Sequence, residues 1–229
     1  MNKAIILLSG GLDSVVSLAS IKDKCSNILA LTFDYGQKSF HAEKTASECI
    51  AKYYSIEHRI IDLEWLAVIS NSALTTSEIV PFIDKNNLDN LNTSKNASNA
   101  VWVPNRNGLF INIAGCFADS YGFDTIVLGA NKEESANFKD NSKEFILAVN
   151  ESLRNSVNTN VEVVAPLLEM TKEDIVRLGI KLNVPFKYIY SCYLDNDKHC
   201  GMCESCQRLK RALELNNRQD IIEEIFSKE

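Results

Sequence analysis

Three stretches of this chain bring together groups suited to holding an anion, a metal ion or a planar base. The first is Ser9-Gly10-Gly11-Leu12-Asp13-Ser14, set between an apolar run, Ala4 to Leu8, and an apolar series at Val15, Val16, Leu18 and Ala19. The run reads as a buried strand and the series as an amphipathic helix. A strand, a glycine turn and a helix start in succession make an anion site. Glycine lets backbone N–H groups approach a phosphate, and the first helical turn adds unpaired donors at the positive end of its dipole. Ser9 and Ser14 add hydroxyl donors. Asp13 would repel a bare phosphate, so its carboxylate is assigned to a Mg2+ ion or to capping the helix. With no Gly-Lys-Ser/Thr ending and only two glycines, this is neither of the two common nucleotide loops.

The second stretch holds Cys192, Cys200, Cys203 and Cys206, with two Cys-x-x-Cys steps sharing Cys203. Four thiolates at this spacing suit a tetrahedral Zn2+, and four sulfur ligands leave no open position, so the ion would be structural. An iron–sulfur cluster uses similar ligands, and His199 could replace one sulfur. Cys25, Cys49 and Cys116 fall on apolar faces and are predicted to lie in the core. The third stretch is Val103-Pro104-Asn105-Arg106-Asn107-Gly108. Pro104 keeps Val103 extended, and Asn105 or Asn107 can cap a helix over 109–121. Arg106 would then stand at a helix N-terminus, where a cation is misplaced unless it faces a phosphate or carboxylate. Two smaller features join these. Tyr35, in Asp34-Tyr35-Gly36-Gln37, offers a flat face to a base or fills a turn. Glu134 and Asp140 offer carboxylates to the ring N–H and amino group of a purine-like molecule, and Asp140 could equally cap a helix over 143–156.

The surrounding elements explain how these groups meet. Strands are predicted at 4–8, 28–33, 56–63, 125–128 and 161–167, separated by helical patterns at 41–54, 109–121 and 143–156. Alternation of this kind implies an α/β fold of the Rossmann-like type, a parallel sheet with helices on both faces. Ligands then sit beyond the carboxyl ends of the strands, which puts residues 9–14, 34–37 and 129–142 on one rim. Thr171-Lys172-Glu173-Asp174 is a capping box whose helix stops at Gly179, and the segment is assigned to structure alone. Residues 84–99 are too polar to pack and are expected to form a mobile loop, either a lid or plain solvated chain. The two expected units are 1–182, holding the nucleotide, and 183–229, holding the metal.

The 229 residues are 45% hydrophobic and carry a net charge of −6. No long basic run marks a nucleic-acid or membrane-surface binder, and no apolar run approaches the ~20 residues of a membrane span. No leader is visible, and the seven cysteines suit thiols or a metal better than a disulfide scaffold. A cytoplasmic location is expected.

SGGLDS after the first strand resembles the PP-loop of ATP pyrophosphatases, which grips the pyrophosphate released when a substrate oxygen attacks the α-phosphate of ATP. FDYGQ at 33–37, VPNRN at 103–107, GANKEESANFKDNS at 129–142, APL at 165–167 and SCY…CGMCESC at 191–206 follow in order. Together they resemble the 7-cyano-7-deazaguanine synthase family, from residue 4 to about 210. The resemblance implies an adenine nucleotide alpha hydrolase-like fold and a carbon–nitrogen ligase in queuosine biosynthesis. ATP would adenylate 7-carboxy-7-deazaguanine, ammonia would displace AMP, and a second adenylation of the amide would give the nitrile. It implies Mg2+, one structural Zn2+ on Cys192, Cys200, Cys203 and Cys206, and a homodimer with small-molecule partners and no nucleic acid or membrane. Residues Leu8, Ser9, Gly10, Gly11, Leu12, Asp13, Ser14, Val15, Val16, Ser17 and Leu18 would hold ATP. Ser9, Asp13, Ser14 and Arg106 would serve catalysis, and Tyr35, Arg106, Asn107, Glu134 and Asp140 the substrate.

There are departures. Gln37-Lys38-Ser39 stands where the family often has Gln-Arg-His, with His41 displaced. In the substrate loop an arginine is replaced by Ser142. Two other classes are weighed: a different PP-loop enzyme, thiolating or lysine-modifying tRNA, and a zinc-containing nucleic-acid-binding module using Lys198, Arg208, Lys210 and Arg211. The acidic charge, and cysteines accounted for by a metal, stand against the first; for the second, the basic residues read as a solvated helix face more readily than as a binding patch.

Overall fold

A computed structural model of the chain describes residues 2–227. Five strands, β1 (Lys3–Leu7), β2 (Asn27–Asp34), β3 (Glu57–Asp62), β4 (Thr125–Val127) and β5 (Glu162–Val164), form one parallel sheet in the order β3-β2-β1-β4-β5. Ten α-helices accompany it among the described residues: α1 (Leu12–Ile21), α2 (Phe40–Tyr54), α3 (Trp65–Ile69), α4 (Leu91–Ala100), α5 (Arg106–Tyr121), α6 (Lys132–Ser135), α7 (Lys143–Arg154), α8 (Lys172–Lys181), α9 (Glu204–Leu215) and α10 (Gln219–Ile225).

Side chains alternate across a strand, so β1 feeds both faces of the sheet. Ala4, Ile6 and Leu8 pack with Val15 and Val16 of α1, Ile50 of α2, Ile175 of α8 and Leu213 of α9. Ile5 and Leu7 pack on the other face with Phe110, Ile111 and Ala114 of α5 and Leu153 of α7. Each fully buried aliphatic side chain of this kind contributes about 1.5–3 kcal/mol. Cys192, Cys203 and Cys206 belong to the same apolar layer as β1 and α1. The chain leaves β1 toward β2 on one side and returns to β4 on the other. The crevice at the carboxyl end of β1 is therefore the switch point where such sheets bind ligands.

Four expectations change here. Residues 84–99 are not a mobile loop, because most of the stretch folds as α4. Asn90 caps it, accepting from the N–H groups of Asn92 and Thr93 at 3.1 and 3.2 Å. Ser94, Ala97 and Ser98 form a narrow buried face, small residues at helical spacing that a count of large apolar groups overlooks. Gly179 does not end α8, which continues to Lys181. A Cβ there would meet Phe186 and Val16 at 3.0 and 3.2 Å, so the glycine serves close packing. Cys25 and Cys49 are only half-buried and Cys116 is exposed, so none is a core residue. Ser142, not Asp140, caps α7, accepting from the Phe145 N–H at 3.1 Å.

Candidate active site and cysteine cluster

The loop between β1 and α1 is held by bonds that only its own residue types permit. Gly10 has φ +78°, and a Cβ there would lie 2.6 Å from the Cβ of Ala46 on α2. Gly129, after β4, is needed for the same reason, because its Cβ would lie 3.0 Å from the Ser14 nitrogen. Ser9 Oγ accepts from the Gly11 N–H at 3.3 Å and lies 3.2 Å from Ser14 Oγ, which donates to the Gly11 carbonyl at 3.0 Å. Gly11 precedes α1 in extended conformation and, having no side chain, gives no cap of its own, while Ser191 Oγ takes the Leu12 N–H at 3.1 Å. The N–H groups of Asp13 and Ser14 follow at the positive end of this ten-residue helix, beside the cleft. Of the segment 8–18, Leu8, Ser9, Gly11, Leu12, Asp13 and Ser14 line this cleft. Val15, Val16, Ser17 and Leu18 are wholly buried beneath it. They set the helix and cannot touch a nucleotide with their side chains.

Lys172 is the site residue that the sequence reading missed. It is the first residue of α8, behind the capping box of Thr171 and Asp174. Its ammonium reaches back to the Asp13 carboxylate and lies 2.9 Å from Glu134 Oε1. The segment assigned to structure alone thus also lines the cleft. The signal was available: a lysine at a helix N-terminus is misplaced unless it faces an anion, the argument already applied to Arg106. Burial works against the Lys172 charge, but Asp13 and Glu134 outweigh it and hold the pKa above the ordinary lysine value. Burial pushes the Asp13 carboxyl up to about 6, with Lys172 opposing. Glu134, more open to solvent, is held below the usual carboxylate range by Lys172 in spite of its burial. Asp13 Oδ1 is buried with no hydrogen-bond partner among the described residues, which suits a ligand to a cation.

Across the cleft, Arg106 is the first residue of α5, as the placement of Pro104 and Asn105 predicts. Asn105 precedes it at φ +49° but gives the helix no side-chain bond. The guanidinium donates to Tyr35 Oη at 3.2 Å and lies 5.6 Å from that ring's centre. Tyr35 is buried against Phe110 with its ring bordering the cleft, and Gly36 turns the chain beyond it at φ +76°. Glu134 lines the cleft and Asp140 does not. Asp140 lies beneath the start of α5, where its Oδ2 accepts from the Asn107 N–H at 3.3 Å and its carbonyl accepts from Asn107 Nδ2 at 3.0 Å. Asn107 itself lines the cleft.

The four cysteine sulfurs lie within 4.8 Å of one another, with Cys200 and Cys206 3.8 Å apart. Metal–sulfur bonds of about 2.3 Å in a tetrahedron place sulfurs about 3.8 Å apart, so the donor set fits one ion. Backbone N–H groups of Leu194, Met202 and Cys203 point at the sulfurs of Cys192 and Cys200 at 3.4 Å, as thiolate charge requires. His199 stands outside this group. Its Nε2 accepts from the Ser191 N–H at 2.9 Å, so Nδ1 carries the proton toward the Ile225 carbonyl at 3.1 Å.

The cluster is tied to the anion loop by short bonds. The Tyr190 N–H donates to the Gly10 carbonyl at 2.9 Å, and Ser191 Oγ accepts from the Leu12 N–H at 3.1 Å. A second tie runs through Arg208 of α9. It is not on a solvated basic face but buried, 2.7 Å from Glu133 Oε2 and 2.9 Å from Glu204 Oε1. Glu133 in turn accepts from the Lys172 N–H at 2.8 Å.

Comparison with known proteins agrees with this geometry. The family model described as "Queuosine biosynthesis protein QueC" matches residues 3–217. A 7-cyano-7-deazaguanine synthase of Methanobrevibacter smithii is 44% identical over 95% of this chain and 96% of its own. One of Pelotomaculum thermopropionicum is 47% identical over 92% and 96% respectively. A 4-thiouridine synthetase, solved with RNA and bound ATP, shares the fold at TM-score 0.51 and 17% identity, covering 97% of this chain and 53% of that one. With its loop, cysteine cluster and nearly full-length match all in agreement, the chain belongs to the QueC family.

Proposed function

We propose that the chain is an ATP-dependent ligase that converts 7-carboxy-7-deazaguanine and ammonia to 7-cyano-7-deazaguanine through two adenylations, each releasing pyrophosphate and AMP. The observation that carries this reading is the single cleft in which the Ser9–Ser14 loop and Lys172 face Arg106. Loop amides, the serine hydroxyls and Lys172 offer the charge complement of a departing pyrophosphate. Asp13 is the group that would hold Mg2+, which would neutralise phosphate charge while Lys172 turns from carboxylate to phosphate. Arg106, pre-set by Tyr35, offers a planar fork to the substrate carboxylate or the α-phosphate. Glu134 faces the deazaguanine edge, and Asp140 acts one step back by seating Asn107. Catalysis is then positioning and charge stabilisation.

The four sulfurs would hold one structural Zn2+, since a multi-iron cluster needs its ligands farther apart than a single ion does. By holding Tyr190 and Ser191 the ion fixes the loop that holds ATP. A homodimer in the cytoplasm without nucleic acid completes the proposal. No helix among the described residues is long and apolar enough to cross a membrane. Trp65, Val68 and Ile69 of α3 present apolar surface beside the edge strand β3, which a second copy would cover. The deciding experiment supplies ATP, Mg2+, ammonium and 7-carboxy-7-deazaguanine, with mass spectrometry of the base and chromatography of the nucleotide. The nitrile and AMP are expected, and ADP would overturn the assignment.

A further inference from the structure

In neutral water ammonia is present almost wholly as ammonium, which has no lone pair to attack an acyl carbon. A ligase that draws on this abundant form must bind a small cation and take its proton inside the site. Three carboxylates line the cleft: Asp13, Glu134 and Glu43. Asp13 and Glu134 both contact Lys172. Glu43, in the first turn of α2, is different. Its Oε1 accepts from Ser39 Oγ at 2.6 Å and its Oε2 from Gln37 Nε2 at 3.1 Å, both neutral donors. Gln37 is itself fixed, donating to the Phe33 carbonyl at 3.0 Å and accepting from the Tyr35 N–H at 2.9 Å. Among the described residues no cation is in hydrogen-bond contact with Glu43. The charged or titratable groups facing it are Arg106 of α5, Asp34 at the end of β2, and Tyr35.

We infer that Glu43 binds ammonium in the cleft and removes its proton, delivering ammonia to the adenylated carboxylate. The inference rests on the ligase reading above. Burial raises the Glu43 carboxyl above the usual carboxylate range, with Ser39, Gln37 and Arg106 opposing, which is the direction a proton acceptor needs. In the step, an N–H bond of ammonium breaks and its proton goes to Glu43. The freed lone pair forms the C–N bond, the carbon–oxygen bond to the α-phosphate breaks, and AMP leaves with that electron pair. The proton shed by nitrogen as the adduct collapses goes to the departing phosphate, and Glu43 returns its own to water in the open cleft.

The test compares Glu43→Gln and Glu43→Asp with the wild-type enzyme in three assays: nitrile formation from ammonium, hydroxamate formation from hydroxylamine, and carboxylate-dependent ATP–pyrophosphate exchange. Hydroxylamine is uncharged near neutrality and needs no proton removed before attack. In Glu43→Gln, kcat/KM for ammonium should fall about 10²–10⁴-fold, the range for loss of a general base. Exchange and hydroxamate formation should persist. Ammonium use by the variant should recover as pH rises, in proportion to free ammonia, and Glu43→Asp should lose less. An unchanged kcat/KM for ammonium, or equal loss in all three assays, would overturn the assignment. On the unmodified enzyme, K+ and Rb+ should compete with ammonium, being cations of similar size, and absence of competition would also overturn it. Failure of the wild-type enzyme to form AMP from ATP and the carboxylate would instead refute the ligase reading.

Discussion

Replacing Lys172 by Met removes the buried cation that contacts both the Asp13 and the Glu134 carboxylates. Breaking a buried ion pair from one side costs about 3–5 kcal/mol. The Glu134 side chain is 35% exposed, so water recovers part of its share, and the lower end, about 3 kcal/mol, is expected near pH 7.5. For a chain of this length each kcal/mol moves Tm by about 2–4 °C, which gives a fall of about 6–12 °C. The loss should depend on pH. Without Lys172, every main influence left on Asp13, burial first and then Glu134 and Glu133, raises its pKa beyond the wild-type value of about 6. The unfolded value is about 3.9. The folded state then holds a proton that the unfolded state releases, so stability is retained in acid and lost as pH rises through the folded pKa. Calorimetry of Lys172→Met near pH 5 and near pH 7.5, beside the wild type, measures this. Asp13→Asn added to Lys172→Met should regain part of the stability while pyrophosphate exchange stays low. A wild-type Tm, or a deficit equal at both pH values, would refute the view that Lys172 compensates these carboxylates.

Gly10→Ala meets both a positive φ and the Ala46 contact, and should destabilise by about 1–2 kcal/mol or more in urea unfolding. Cys203→Ser should hold less metal than the wild type by elemental analysis and lower the melting temperature. It should also raise KM for ATP, because Tyr190 and Ser191 no longer hold the loop; a stable, metal-free variant with unchanged KM would contradict the tie. Arg106→Lys keeps the charge but loses the fork, and kcat/KM for the carboxylate should fall about 10–100-fold, the worth of one charged hydrogen bond.

Much of the site was legible because its chemistry is local. Ser9–Ser14 carries its own turn, its own donors and the helix that follows. The four cysteines lie close enough in sequence that few folds could keep them apart. Arg106 was found because Pro104 and Asn105 announce a helix start. What failed depended on contacts between distant segments. Stretch 84–99 was misread because burial of Ser94, Ala97 and Ser98 depends on what packs over them, Arg208 of α9 included. Gly179 looked like a terminator because only the nearness of Val16 and Phe186 shows its packing role.

By itself the sequence determined the alternating strands and helices, the anion loop and the sulfur set, since hydrophobic period, glycine and thiol spacing act over a few residues. Tertiary structure alone decided the partners of those groups: that Lys172 reaches Asp13 from 159 positions away, that Ser191 props Leu12, and that Glu43 stands in the cleft bonded by Ser39 and Gln37, with no cation in hydrogen-bond contact among the described residues. Such pairings follow from how parallel crossovers stack the helices over one end of the sheet, and no local pattern encodes that.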